Sequence, residues 1–357
     1  VVSQICKSSW NCWESFWIIS TMKHILICIL FSFSSLGELF ADAEKQLDPK
    51  KIENKETMVK DLMSKIHERI SKYHWDYSLF PQSGWEVYAK TVDKNPLIYF
   101  KCGDPEAKNR SLILSAVHGD EITPVYYGFR LVEWIKARPE ICENNFVVIA
   151  PIVNPDGFLR YTTGTRTNYN KVDLNRNFST PEWKASAQHL WKSKYSGRRR
   201  YFPGENPDSE PETLFQKWLI YNFKPQKILS VHAPLNFLDY DGPKEKIEQE
   251  FTDTYLDSCK DLKYTMMKAT PDLRYHAYGT FPGSLGNYAG KWLGIPTLTA
   301  ELPTTHGSRA GAYFGLLEKA TKKFIEFKID GSPKSLDEKI ATGTKLLEAK
   351  AEETTIN

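Results

Sequence analysis

The chain has 357 residues, room for one large domain or two ordinary ones, and 41% hydrophobic with 25% charged residues suits a globular protein with a sizeable core. A net charge of only +3 gives no ground for nucleic acid or an acidic surface as an obligatory partner. Six cysteines with no Cys-x-x-Cys pair argue against a thiolate zinc site.

Met22-Lys23-His24, the apolar run Ile25 to Phe33 and Ala41-Asp42-Ala43 combine a positive start, a short apolar segment and a small-x-small triplet. That is the make-up of a secretory signal peptide, and the run is too short and interrupted for a comfortable membrane span. Residues 1–21 read as an upstream extension and 22–43 as the signal peptide, with a retained anchor as the alternative. Export suits a bacterial periplasm. Cys6, Cys12 and Cys28 fall before the cut, which leaves Cys102, Cys142 and Cys259. At most one internal bridge can form among them, and its pairing stays open.

Residues 44–83 form an N-terminal helical segment: Met58, Leu62, Ile66 and Ile70 recur four apart, a narrow apolar stripe that docks on the main body. Glu86-Val87-Tyr88 and Leu97-Ile98-Tyr99-Phe100 predict two strands about the polar turn Asp93-Lys94-Asn95. The apolar run Leu112 to Val117 predicts a buried strand that stops at His118-Gly119-Asp120-Glu121. A histidine and a glutamate three apart, just past a strand end, can turn toward one point as zinc-type donors. Taken alone, the same spacing also describes an exposed turn.

Ile122 to Arg138 predicts a helix, and Asn145 to Val153 a strand ending at Asn154-Pro155-Asp156-Gly157. From Phe158 to Pro207 the chain is polar and loop-rich around a helix from Pro181 to Tyr195, and loops of that length are often functional. Ser209-x-x-Glu212 has the capping-box spacing and opens a helix through Tyr221. Lys227 to Val231 is a strand ending at His232, residues 244–262 a helix, and Thr297 to Ala300 a strand ending at Glu301. The helix Arg309 to Phe327 closes a domain over 84–328, followed by a polar tail over 329–357, a loose helix or disordered. Strands alternating with helices argue for α/β layers around a largely buried sheet.

Three strands therefore end in His118 with Glu121, in His232 and in Glu301. Ligands of open α/β sheets gather beyond the carboxyl ends of the strands, so these groups can converge. Two imidazoles and one carboxylate leave zinc an open fourth position for water, and Glu301 is the candidate base for that water's proton.

The segment Arg166-Thr-Asn-Tyr-Asn-Lys-Val-Asp173-Leu174-Asn175-Arg176-Asn177-Phe178, with His-Gly-Asp-Glu, Asn-Pro-Asp-Gly and Ser-Val-His, closely resembles the zinc metallocarboxypeptidase family. The resemblance spans roughly residues 85 to 325 in the family's order. It implies a three-layer α/β/α fold around a mixed, mainly parallel sheet of about eight strands. It further implies one zinc ion on His118, Glu121 and His232, with Glu301 as general base and Arg166 steadying the oxyanion. Asn175 and Arg176 match the pair that grips the substrate's terminal carboxylate, and Tyr278, six residues before Ser284, matches the mobile capping tyrosine. Asp156 and Asn177 are expected to fix turns. A related periplasmic group replaces the first histidine with glutamine; this chain keeps His118, which disfavours the rival reading of an inert muropeptide-binding protein.

Val-Asp-Leu-Asn-Arg-Asn-Phe, Ser-Glu-Pro-Glu-Thr and His-Ala-Pro-Leu-Asn-Phe-Leu-Asp-Tyr-Asp-Gly-Pro look like bacterial murein peptide amidases and D,L-carboxypeptidases. Those enzymes cut between γ-D-glutamate and meso-diaminopimelate in peptidoglycan stem peptides. Asp239 and Asp241 are the candidates to meet the ammonium of the diaminopimelate side chain, and Arg274 or Arg309 its extra carboxylate; solvated loop charges are the bland alternative. Leu285 argues against a pocket for lysine or arginine but leaves room for a general carboxypeptidase taking apolar C-terminal residues, the second reading. Arg198-Arg199-Arg200 is expected to be a solvated loop rather than a glycan contact.

Overall fold

The computed structural model describes residues 54–244 and 250–353, so the upstream extension and signal peptide expected over 1–43 lie outside the described residues. Helix α1 (Lys55–Ile70) precedes the sheet strands β1 (Glu86–Lys90), β2 (Pro96–Cys102) and β3 (Asn109–Ser115). Next come α2 (Ile122–Lys136), β4 (Asn145–Ala150), the short α3 (Pro155–Leu159), α4 (Trp183–Tyr195) and α5 (Pro211–Phe223). The second half holds β5 (Lys227–His232), β6 (Phe237–Asp241), α6 (Asp253–Ala269), β7 (Arg274–Tyr275), β8 (Thr297–Glu301), α7 (Ala310–Glu326) and α8 (Leu336–Glu353).

The strands make one eight-stranded sheet in the order β1-β2-β4-β3-β5-β8-β6-β7. Its centre, β4-β3-β5-β8, is parallel throughout; β1 and β2 join antiparallel on one side and β6 antiparallel on the other. This is the mixed, mainly parallel α/β/α architecture expected from the sequence. Burial on both faces explains why β3, β4 and β5 read as continuous apolar runs instead of alternating. Alternate side chains serve opposite layers. Ile113 packs with Leu131 of α2, Leu262 of α6 and Phe324 of α7, whereas Leu112 and Leu114 pack with Phe215 and Leu219 of α5. The α1 stripe docks as predicted, with Leu62, Ile66 and Ile70 fully buried against Phe80, Phe129 and Phe158.

Several local expectations gave way to tertiary contacts. The Ser209 capping box does not form: Glu210 is the N-cap of α5 without a side-chain cap bond, and the Ser209 hydroxyl donates to Glu210 Oε1 at 2.7 Å. Glu212 is drawn instead to Asn168, whose amide donates to Glu212 Oε2 at 2.9 Å. Helix α6 begins at Asp253 because the Thr252 hydroxyl caps it, accepting from the Tyr255 N–H at 3.2 Å. The polar tail ends as an ordered helix, α8, which buries Ile340 in the α5 layer while Lys339 reaches Glu250 at 3.1 Å and the Trp292 carbonyl at 2.8 Å. The open cysteine pairing resolves as Cys102–Cys142, tying the end of β2 to the turn before β4 and leaving Cys259, among the described residues, a buried thiol outside any bridge. Among the described residues no helix is long and apolar enough to cross a membrane.

Glu212 is fully buried, leaves Oε1 without a hydrogen-bond partner among the described residues and lies near Asp156 and Glu210. Burial, reinforced by those carboxylates, pushes its carboxyl from the ordinary 4.5 up to about 8. The folded chain then holds a proton that the unfolded chain releases, so this group's contribution to stability declines as pH rises from 4.5 to about 8. Glu212→Gln should raise the melting temperature at pH 8 by about 2–4 °C per kcal/mol recovered and leave it nearly unchanged at pH 5. Equal shifts at both pH values, read by thermal denaturation, would sink that account.

Candidate metal and substrate site

The sheet topology brings the strand-end groups together. His232 is the last residue of β5 and is paired in register with Glu301, the last of β8, while His118 follows the end of the neighbouring β3. Ala116 makes the bend from β3 with a φ of +54°, and its carbonyl accepts from the Asn154 N–H at 3.1 Å. Asn154 also caps α3 through the Gly157 N–H at 2.8 Å and donates to the Val117 carbonyl at 3.2 Å. The two turns touch backbone to backbone: a Cβ on Gly119 would lie 2.1 Å from the Gly157 carbonyl carbon. Only glycine permits that approach, which sets His118 and Glu121 at their depth.

His118, Glu121 and His232 are buried, and one ligand atom from each lies within 4.8 Å of the others. His118 Nδ1 sits 2.7 Å from Glu121 Oε1, and His232 Nδ1 sits 3.2 Å from His118 Nδ1 and 3.1 Å from Glu121 Oε2. Each imidazole is steadied through its outer nitrogen, His118 Nε2 by Asp173 at 3.3 Å and His232 Nε2 by the Ser230 hydroxyl at 2.9 Å. Inner nitrogens as ligands with outer nitrogens held by oxygen is the arrangement of metal-binding histidines. Three electron-rich atoms turned to one buried point suit a divalent cation, and a two-nitrogen, one-oxygen donor set with room beside it suits zinc. Burial alone would raise the Glu121 carboxyl, yet His118 and His232 hold it well below the usual carboxylate range. It is a charged donor.

Asp173, fully buried, organises the rest. Its Oδ2 accepts from Arg166 Nε at 2.8 Å, and its Oδ1 accepts from the Asn175 N–H at 3.1 Å while facing His118. Against the cost of burial, Arg166 keeps the Asp173 carboxyl ionised. The Arg166 guanidinium is thereby held 3.2 Å from His118 Nδ1 and 3.7 Å from Glu121. Glu301 keeps one oxygen on the Leu235 N–H at 3.3 Å, and burial pushes its carboxyl above its ordinary value. Asn175 Oδ1 accepts from the Leu285 N–H at 2.8 Å, and the Arg176 guanidinium lies over the Phe281 ring at 4.3 Å with Nε buried and lacking a protein partner among the described residues.

The three metal donors, Glu301, Arg166 and the Asn175–Arg176 pair, with Tyr278, Asp239 and Asp241, line a single cavity of about 320 Å3, and Asp173 lies behind its wall. Tyr278 is half-exposed at its mouth and stacks on Phe237 at 5.7 Å. Asp239 and Asp241 belong to β6, a buried strand rather than the loop in which the sequence placed them. Asp239 Oδ1 accepts from the Tyr240 and Tyr278 N–H groups, at 2.8 and 3.2 Å, and so is committed to the backbone. Arg274 and Arg309 do not line the cavity: the Arg274 guanidinium donates to the Leu235 carbonyl at 3.3 Å, and Arg309 is exposed at the start of α7. Arg200, in the loop expected to be merely solvated, does line it. Asp156 holds the turn after β1, accepting from the Thr91 hydroxyl at 2.5 Å and the Asn95 amide at 2.8 Å, and Asn177 binds the Pro203 and Asn206 carbonyls, both turn-fixing as expected. Asp173 and Ser230 had no assigned role in the sequence; their signal was position, one within the Arg166 segment and one two residues before His232.

Comparison with known proteins agrees with this geometry. The zinc carboxypeptidase family profile matches residues 83–321. Murein peptide amidase A of Escherichia coli K12 is 32% identical over 230 residues, covering 64% of this chain and 84% of the relative. The Vibrio campbellii protein of the same name is 31% identical over 219 residues, covering 60% and 78%. Bovine thrombin-activatable fibrinolysis inhibitor, solved with tick carboxypeptidase inhibitor, shares the fold at a TM-score of 0.53 and 19% identity, over 75% of this chain and 95% of that one. The profile match runs from just before β1 into α7 and takes in every group described above; the chain therefore belongs to the zinc carboxypeptidase family and is an enzyme of the metallocarboxypeptidase type.

Proposed function

We propose that this enzyme hydrolyses the γ-D-glutamyl–meso-diaminopimelate bond of peptidoglycan stem peptides, using one zinc ion per chain, in the periplasm. The names of the amidase relatives support the substrate class. The Cys102–Cys142 bridge supports an oxidising compartment. The observation that carries the bond specificity is Asp241: a buried carboxylate lining the substrate cavity, with Oδ1 lacking a protein partner among the described residues. An unpartnered buried carboxylate is costly unless a ligand cation meets it, and diaminopimelate ends in such an ammonium.

His118, Glu121 and His232 would hold the zinc, which when bound supplies Lewis acidity for a carbonyl and makes a water proton easier to remove. Glu301 takes that proton on its carboxylate as the water attacks, then gives it to the departing amine nitrogen. The raised affinity of its buried carboxyl for a proton suits both steps. Arg166, fixed by Asp173, places positive charge where the carbonyl oxygen becomes anionic. Arg176 and Asn175 hold the terminal carboxylate, Arg176 through its Nε–H, which has no partner among the described residues, while its other edge donates to the Asn175 carbonyl at 2.6 Å. Tyr278 closes over the mouth and excludes water. A second reading, removal of apolar C-terminal L-residues, has one observation in its favour: Leu285 and Phe281 also line the cavity.

Incubation with L-Ala-γ-D-Glu-meso-diaminopimelate should release free diaminopimelate by mass spectrometry, and Glu301→Gln should lower kcat by about 10²–10⁴-fold. Zinc binding without turnover of any peptide would instead revive an inert binding protein. Chelation should abolish activity and lower the melting temperature, and one equivalent of zinc should restore both; recovery that needs a second equivalent would contradict one ion per chain. Burial and the neighbouring Asp239 push the Asp241 carboxyl to about 7, so it is mostly neutral at pH 6 and charged at pH 8. The KM for the diaminopimelate tripeptide should accordingly fall between pH 6 and pH 8. Asp241→Asn should flatten that fall and raise KM about tenfold, sparing a tripeptide that ends in norleucine. Equal losses on both substrates would favour the general carboxypeptidase.

A further inference from the structure

A second cavity, of about 660 Å3, adjoins the site and shares Arg166 and Arg200 with it. Its wall is cationic: Lys72, Arg160, Lys171 and Arg199 join Arg166 and Arg200, against the single carboxylate of Asp120. Two of these cations are held by carbonyls, which position them without neutralising them. Arg160 donates to the Tyr169 carbonyl at 2.9 Å and Lys72 to the Thr162 carbonyl at 3.1 Å. Arg200 lines both cavities. It pairs with Asp120, but that pair is half-exposed and so weakly held, and the guanidinium fork has further N–H groups to offer. Its loop is anchored to the site, because the Phe202 carbonyl accepts from the Asp173 N–H at 2.7 Å and the Arg166 guanidinium lies 5.5 Å over the Tyr201 ring.

The carboxylate clamp at Arg176, with Asp241, Tyr278 and Leu285, lines the first cavity and not the second. A substrate whose C-terminal residue fills the first cavity must carry its acyl half past Arg166 into the second. When the scissile bond is a γ-glutamyl amide, that acyl half bears a free α-carboxylate a short alkyl chain from the reacting carbonyl. An α-linked peptide has an amide at that place. We infer that the cationic cleft, with Arg200 at its mouth, is the subsite for this free carboxylate and selects γ-linked glutamyl substrates by charge. The inference rests on the stem-peptide reading above and concerns the opposite side of the scissile bond from Asp241.

The test compares L-Ala-γ-D-Glu-meso-diaminopimelate with the same tripeptide amidated at the glutamate α-carboxylate, for the parent enzyme and Arg200→Gln. The parent should favour the free carboxylate in kcat/KM by about tenfold or more, and Arg200→Gln should lose that preference, its kcat/KM falling far more on the free acid than on the amidated tripeptide. A melting temperature equal to the parent's reports that the variant is folded. No preference in the parent, or an equal loss on both substrates in the variant, overturns the subsite. If neither tripeptide is cut but ordinary L-peptides are, the stem-peptide reading fails by itself. Peptides with penultimate glutamate or glutamine then decide the subsite: a glutamate preference abolished by Arg200→Gln keeps it, and no preference overturns it.

Discussion

The Asp173 carboxylate is the point on which the site depends. Fully buried, it meets the candidate zinc ligand His118, the Arg166 guanidinium and the backbone N–H of Asn175 at once. Breaking a buried ion pair by removing one partner typically costs about 3–5 kcal/mol, because the other charge is stranded. Here the stranded charge would be Arg166, 3.7 Å from Glu121, where it would compete directly for the metal's carboxylate. One acid thus fixes the Arg166 guanidinium beside the donor cluster, 3.7 Å from Glu121, the place from which it is proposed to serve a carbonyl oxygen.

The depth of the site comes from backbone rather than side chains. The Gly119–Gly157 contact presses the turn after β3 onto the start of α3, and Asn154 fastens both. A similar close approach works on the far side of the cavity, where a Cβ on Gly286 would lie 1.9 Å from Asp241 Oδ2. The absent side chain lets the π-helical segment Gly286–Trp292 pack against β6 and seal Asp241 away from solvent. Burial of that acid, and hence its elevated proton affinity, is a consequence of a glycine forty-five positions on in the chain.

The parts legible in the sequence are those governed by strand-end geometry. His118, His232 and Glu301 each close an apolar run, and a parallel centre β4-β3-β5-β8 leaves their carboxyl ends at one edge. Arg166, Asn175, Arg176 and Tyr278 were legible only by resemblance, because nothing in local pattern says where a loop residue points. What stayed hidden was decided by long-range contacts. Strand β6 carries two acids, a composition that strand propensity disfavours, and pairing with β8 overrides it. The Ser209 box looked complete locally, but Asn168, more than forty residues upstream, takes Glu212 away from the helix end. The α8 tail has too little apolar surface to predict a dock, yet Ile340 and the Lys339 contacts with Glu250 and Trp292 suffice.

Charge is sorted along the two joined cavities, and the sorting follows from the same frame. Asp239 and Asp241 enter from β6 at one end; Arg200 and its neighbours enter from the loop segments around 160–171 and 199–200 at the other, with Arg166 between them. Neither end alone distinguishes a stem peptide from an ordinary one, since a buried acid would also attract lysine and a basic cleft any acidic peptide. A ligand that must satisfy both has to be cationic at its C-terminal residue's tip and anionic just behind the scissile carbonyl. Selectivity of that kind multiplies, because each mismatch leaves a group in the enzyme unpaired, and an unpaired charge costs more than a missing apolar contact. On the proposed reading, discrimination falls to the acid and the arginine that flank the metal donors.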